Sequence, residues 1–119
     1  MPCLSDLTTL MVMDQIVEAA DRLAILVSES SVETIRDDWR TYDAICLGLI
    51  RIGENVNALP TGVKEALQGL AWQDVVGMRN RVAHGYARLN PIRVWEAAAL
   101  SVPPFAAQIR RLRAELEAR

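Results

Sequence analysis

An all-α fold, a bundle of four to five helices, follows from three features of the chain. Apolar residues recur at three- and four-residue spacing along long segments, which places them on one face of a helix. Strand-type alternation is absent, and neither Asn-Gly nor Asp-Gly hairpin turns occur. Helix-capping and helix-stopping residues punctuate the apolar segments. With 119 residues, 51% of them apolar, the chain has length for one domain, 1–119, and enough apolar side chains for a core.

The first helix is expected to start at about Ser5, with Ser5 and Asp6 as its cap. Met13, Ile16, Val17, Ala20, Ala24 and Val27 form its stripe, and the serine-rich stretch Ser28 to Ser31 ends it. A second helix is predicted from about Val32 to Ala58, bent near Asp38, with Tyr42, Cys46, Leu49, Gly53 and Val56 on its inner face. Leu47, Ile50 and Ile52 lie off that stripe, which offers a second apolar side to another copy of the chain. Gly48 and Gly53 admit a close helix neighbour, at a propensity cost of roughly 1 kcal/mol each. Pro60 stops this segment, and a short helix from Thr61 to Leu67 is closed by Gly69. The next helix begins near Trp72, turns Val75, Met78 and Val82 inward, and stops at Gly85. Asn90 caps the last helix with Pro91 in its first turn. Ile92, Trp95, Ala99, Val102, Ala106, Ile109, Leu112 and Leu116 form its stripe, and Pro103-Pro104 predicts a kink or a split. Trp39, Trp72 and Trp95 read as core anchors.

The formal net charge of −2 suggests no polyanion partner, but the charge is unevenly spread. Residues 1–58 hold ten acids and four bases, residues 59–119 five acids and nine bases. Between Val75 and Trp95 stand Arg79, Arg81, Arg88 and Arg93, and no carboxylate. Such a stretch can attract a polyanion that the net charge hides. Equally, these arginines can pair with the acidic first half. Cys3 and Cys46 make neither a metal-ligand spacing nor a disulfide framework, and Cys46 reads as a buried thiol. The N-terminus lacks a basic region ahead of its apolar residues, and no apolar run approaches a membrane span, so a cytoplasmic location is expected.

Chemistry points to the segment Arg79-Asn80-Arg81-Val82-Ala83-His84-Gly85-Tyr86. His84 is the only histidine, so acid–base work near neutral pH falls to it or to a perturbed carboxylate. Asn80 lies one turn before His84 on the same face, and Arg79 lies about 140° around the axis from it. This set suits cleavage of an RNA phosphodiester beside its 2′-hydroxyl. That reaction needs a proton taken, a proton given, and donors at a developing dianionic phosphorane. Histidine serves the first two needs and the fixed fork of arginine the third. The chemistry calls for no metal or cofactor, and the chain shows no metal cluster. One histidine is hard pressed to be both acid and base, and a two-fold dimer supplies a second. From spacing alone, an exposed polar face with ion pairing explains the same residues. Glu54 can pair with Arg79 or Arg81 as a structural contact, or stand near the site as an acid.

The motif Arg-x4-His-x-Tyr at Arg79, His84 and Tyr86 resembles that of HEPN domains, and specifically of the HepT-like toxins. Ile50 to Glu54, Leu59-Pro60, Trp72 to Asn80 and Val94-Trp95 follow in the order and spacing of that family's landmarks. The resemblance covers roughly residues 40–110 in detail. It implies a helical homodimer whose two motifs line one cleft, acting on RNA as a metal-independent endoribonuclease and as the toxin of a toxin–antitoxin pair. The implied partner is an MntA-like minimal nucleotidyltransferase that neutralises the toxin by transferring AMP to the motif tyrosine. On that pattern Arg79 binds phosphate, His84 is the acid–base group, Asn80 supports them and Tyr86 is the modification target. Arg81 and Arg88 are then expected to hold RNA phosphates, with Glu54 supporting the site. The alternative is a non-catalytic nucleotide-binding or regulatory subunit of such a nucleotidyltransferase.

Overall fold

The computed structural model describes residues 4–85 and 88–119, without the side chains of residues 4, 5, 70 and 71. These residues are helical almost throughout, and no strand occurs among them. The helices are α1 (Leu4–Ser28), α2 (Trp39–Asn57), α3 (Thr61–Ala66), α4 (Leu70–Gly85), α5 (Pro91–Glu96) and α6 (Val102–Glu117). A π-helical turn, Ala97–Ser101, joins α5 to α6 without a break, so together they form one long final helix. The five-helix end of the expected range is therefore the one found.

Helix α1 packs against both α2 and α6, and α2 also packs against α4. Its buried face is Leu10, Met13, Ile16, Ala20 and Leu23. The expected stripe ran on to Ala24, which is exposed, because the inner face turns through Leu23 instead. The helix already includes Ser5, so Ser5 is not its cap, whereas Asp6 does sit in the first turn. It ends at Ser28, inside the serine cluster.

The expected single helix from Val32 to Ala58 is instead two elements. Ser31 Oγ and Thr34 Oγ1 share a hydrogen bond of 2.9 Å, and a short 3₁₀ turn, Ile35–Asp37, follows. Asp38 then caps α2, its carboxylate accepting from the Thr41 N–H at 3.2 Å. Side-chain oxygens close to the backbone compete with continued helix and start a new one. Ile45, Cys46, Leu49, Ile52, Gly53 and Val56 form the buried side of α2. Ile52 belongs to the core, and Ile50 packs against it, so the second apolar side is narrower than expected. Leu47, 59% exposed, is what remains of it.

Pro60 precedes α3, and Gly69, at a φ of 154° that side chains disfavour, lies between α3 and α4. Helix α4 buries Val75, Met78 and Val82, as their spacing predicts, and ends at Gly85. Asn90 Oδ1 accepts from the Ile92 N–H at 3.0 Å and caps α5, with Pro91 in the first turn. The break expected at Pro103-Pro104 takes the form of the π turn just before them. Neither proline can donate to the carbonyl four residues back, so the regular ladder is interrupted there.

Phe105 of α6 is fully buried and meets Trp72 at a ring-centroid distance of 6.3 Å, the planes inclined by 55°. Trp95 is half-buried, and its Nε1–H donates to Ser30 Oγ at 2.9 Å, tying α5 to the end of α1. Trp39 is not a core anchor. It is 64% exposed at the first position of α2, with the Arg40 guanidinium 5.3 Å from its ring centre. Cys46 is buried, and this burial raises its thiol pKa above the ordinary value. Cys3 lies outside the described residues. Among the described residues no helix is long and apolar enough to cross a membrane.

Candidate active site

The inward stripe of α4 decides which side chains face out. With Val75, Met78 and Val82 buried, Gln73, Gly77, Asn80 and His84 follow one another at helical spacing on an open face. Gln73, Asn80 and His84 are exposed, and nothing lies within 4 Å of where a Gly77 Cβ would be. His84 stands in the last turn, beside the end of the helix.

Arg79 sits differently. Its side chain is only 19% exposed and lies along α2. The aliphatic stem crosses the bare backbone of Gly53, where any Cβ would overlap Arg79 Cβ and Cγ. Arg79 Nη2 donates to Glu54 Oε1 in a close ion pair, and Nη1 donates to Asn80 Oδ1 at 3.0 Å. Nε is buried and has no partner among the described residues. A guanidinium has five N–H donors. These contacts leave one donor on each terminal nitrogen unassigned among the described residues, so the group is held in place with donors to spare. Glu54 is 55% exposed, hence its pairing contributes more to orientation than to stability.

The sequence singled out Gly53 for close approach, and the neighbour that approaches is Arg79 of the same chain. Gly48 plays the same part for α1, where its Cβ would come within 2.6 Å of Leu23 Cδ2. Of the two partners considered for Glu54, Arg79 is the one it meets. Arg81 lies about 200° around α4 from Arg79 and faces away from it. It lines a groove of ≈ 380 Å³ together with Arg88 and Arg93. Arg79, Asn80 and Glu54 are therefore joined by hydrogen bonds, while Arg81 and Arg88 form a separate group. Arg93, a member of that group, was visible in the carboxylate-free stretch but not singled out. Tyr86 lies outside the described residues.

The arginines of the second half are used in different ways. Arg110 pairs with Asp21 at 2.5 Å, and Arg113 pairs with Asp14 of α1 and Glu117 of its own helix. Both contacts to α1 join the basic α6 to the acidic first half. Arg81, Arg88 and Arg93 make no ion pair among the described residues. Pairing with the acidic half thus accounts for some arginines and leaves three in the groove.

Comparison with known proteins gives this helical arrangement a family. Residues 16–112 match the family model of the HepT-like ribonucleases, described as "Ribonuclease HepT-like". The chain is 26% identical over 100 residues to "Putative RNase TTE0752" of Caldanaerobacter subterraneus subsp. tengcongensis, covering 84% of this chain and 89% of that protein. It is 23% identical over 101 residues to "Probable ribonuclease HepT" of Thermococcus cleftensis, covering 85% and 92% respectively. A shorter match, 27% over 66 residues, joins it to "Putative RNase MJ0125" of Methanocaldococcus jannaschii, covering 56% of this chain and 57% of that one. No solved structure matches the chain. The family match spans α2 to α5 entire, the second half of α1 and most of α6, including the whole Arg79–His84 segment: the chain belongs to the HepT-like ribonuclease family and is an endoribonuclease.

Proposed function

We propose that the chain is the toxin of a toxin–antitoxin pair and cleaves RNA without a metal ion, using Arg79 and His84. The observation that carries this reading is the pose of Arg79. Gly53, Glu54 and Asn80 hold its guanidinium against α2, and His84 stands five residues further along α4, in its last turn. An immobilised fork of donors is what a phosphorane needs, because donors aimed beforehand cost no reorganisation during reaction. In the reaction, the RNA 2′-oxygen attacks the adjacent phosphorus as a base takes its proton. The bond from phosphorus to the 5′-oxygen breaks, and an acid protonates that oxygen. A 2′,3′-cyclic phosphate and a 5′-hydroxyl result. His84 of one subunit serves as base and His84 of a second as acid, so the catalytic unit is a homodimer. The open row of Gln73, Gly77, Asn80 and His84 leaves α4 accessible to RNA and to the second subunit. Asn80 acts on Arg79, to which it is hydrogen-bonded, and thereby on the phosphate.

The antitoxin is a minimal nucleotidyltransferase of MntA type. The Tyr86 hydroxyl loses its proton and attacks the α-phosphorus of ATP, pyrophosphate leaves, and the tyrosine two residues after His84 carries AMP. A bulky anion at that place blocks RNA by charge and by volume. The test is cleavage of a labelled RNA in excess EDTA, with analysis of the new ends. Cyclic phosphate and 5′-hydroxyl ends support the mechanism, whereas loss of cleavage on chelation or 5′-phosphate ends would overturn it. Mass analysis after incubation with the partner and ATP should find one AMP on the peptide containing Tyr86.

A further inference from the structure

We propose that Arg93 completes, with Arg81 and Arg88, a phosphate-binding subsite that anchors the RNA strand beside the scissile bond rather than at it. This rests on the ribonuclease activity and deepens the placing of Arg81 and Arg88. Three residues from successive elements of one stretch of sequence converge here. Arg81 comes from the last turns of α4, Arg88 from the connection that follows it, and Arg93 from α5. All three are exposed, and all line the same groove of ≈ 380 Å³, whose lining contains no carboxylate. Met78 and Leu89 supply apolar surface beside them, and the Asn90 carboxamide oxygen is occupied by the Ile92 N–H. Three like charges around one recess repel each other, and an anion between them relieves that repulsion.

Distance around the helix separates this subsite from the reacting phosphate. Arg81 is three residues before His84, about 4.5 Å along the axis, and about 60° around it. Arg79, which the proposed mechanism puts at the phosphorane, lies on nearly the opposite side of α4 from Arg81. One phosphate is therefore not expected to engage both groups. A strand lying across the His84 end of α4 can place one phosphate near Arg79 and a neighbouring one in the groove. On the side of Arg81 and Arg93, which line both, the groove meets a recess of ≈ 540 Å³ walled in part by Asp74 and Glu96. Those charges repel phosphate, so the anion is expected on the Arg88 side of the arginine group.

The test uses an RNA oligomer with 2′-O-methyl groups throughout, which binds but cannot undergo attack by its 2′-oxygen. Its affinity is measured across a salt series for the wild type, Arg93→Ala, Arg93→Glu, and Arg111→Ala, an exposed α6 arginine outside the groove. Arg93→Ala should weaken binding about tenfold irrespective of base sequence and lower the salt slope by about 0.7, the value for one single-strand phosphate contact. Arg93→Glu should weaken it further, and Arg111→Ala should resemble the wild type. With cleavable RNA, Arg93→Ala should raise KM about tenfold while kcat stays within about twofold. Unchanged affinity and slope, equal losses in Arg93→Ala and Arg111→Ala, or a fall confined to kcat would each overturn the proposal. If the wild type binds with the expected Arg93 dependence yet cleaves no RNA, the subsite stands and the cleavage mechanism fails. Circular dichroism of each variant confirms that the comparison is between folded proteins.

Discussion

Arg79 is the residue on which local geometry and chemistry meet. A flexible cation at this place would lose side-chain freedom on meeting a phosphate, and the slot over Gly53 imposes that loss during folding instead. Gly53→Ala should therefore act twice. It forces the Arg79 stem aside, costing about 1–3 kcal/mol of stability by overpacking, and it lowers kcat because the guanidinium moves. Denaturant titration and single-turnover cleavage would read the two effects separately. Glu54→Ala leaves the slot intact and removes one tether, so its expected signature is different: kcat about tenfold lower, with the midpoint of unfolding little changed. Cys46 offers a check on the core. Its burial raises the thiol pKa, so at pH 7 to 8 the folded protein should leave Cys46 unlabelled by a maleimide, and denaturant should expose it. Peptide mass analysis distinguishes Cys46 from Cys3. Sequence made His84 and Arg79 visible as types at a spacing. It could not reveal that Gly53 makes room for Arg79, since that contact joins residues from two helices.

At the level of elements, the ends of helices were more legible than their faces. Asn90, Pro60 and Gly69 act on the backbone within a few residues, so their meaning survives without knowledge of the fold. Asp38 was seen as a bend and proved to be a cap, because its carboxylate satisfies the Thr41 N–H where a continuing helix would have used a carbonyl. Asp38→Ala should cost about 1 kcal/mol, measurable as a lower denaturation midpoint with an unchanged slope. Faces depend on neighbours. Trp39 has the chemistry of a core residue but stands exposed at a helix start, and Ile52, off the expected stripe, is fully buried in the core. The π turn before Pro103-Pro104 also follows from the missing N–H groups, although sequence alone gave only the interruption and not its form.

For the molecule as a whole, the contrast between an acidic first half and a basic second half resolves into two uses of charge. Asp14 and Asp21 meet Arg113 and Arg110 across α1 and α6, while the groove arginines remain outside such pairs among the described residues. The net charge therefore conceals a local group of cationic side chains, drawn from the carboxylate-free stretch from Val75 to Trp95. The helical class and the bundle layout were readable from periodicity, and the family from an ordered series of landmarks. The partition of arginines was not, because it depends on which faces the fold brings together.

The central claim is that His84 carries out the proton transfers, and the most direct measurement is the single-turnover cleavage rate of His84→Ala. The protein should fold like the wild type, since His84 is exposed, and should bind 2′-O-methyl RNA with similar affinity. Its cleavage rate should fall by about 10²–10⁴, the usual contribution of general acid–base catalysis. A folded His84→Ala protein that cleaves RNA at the wild-type rate would contradict the account.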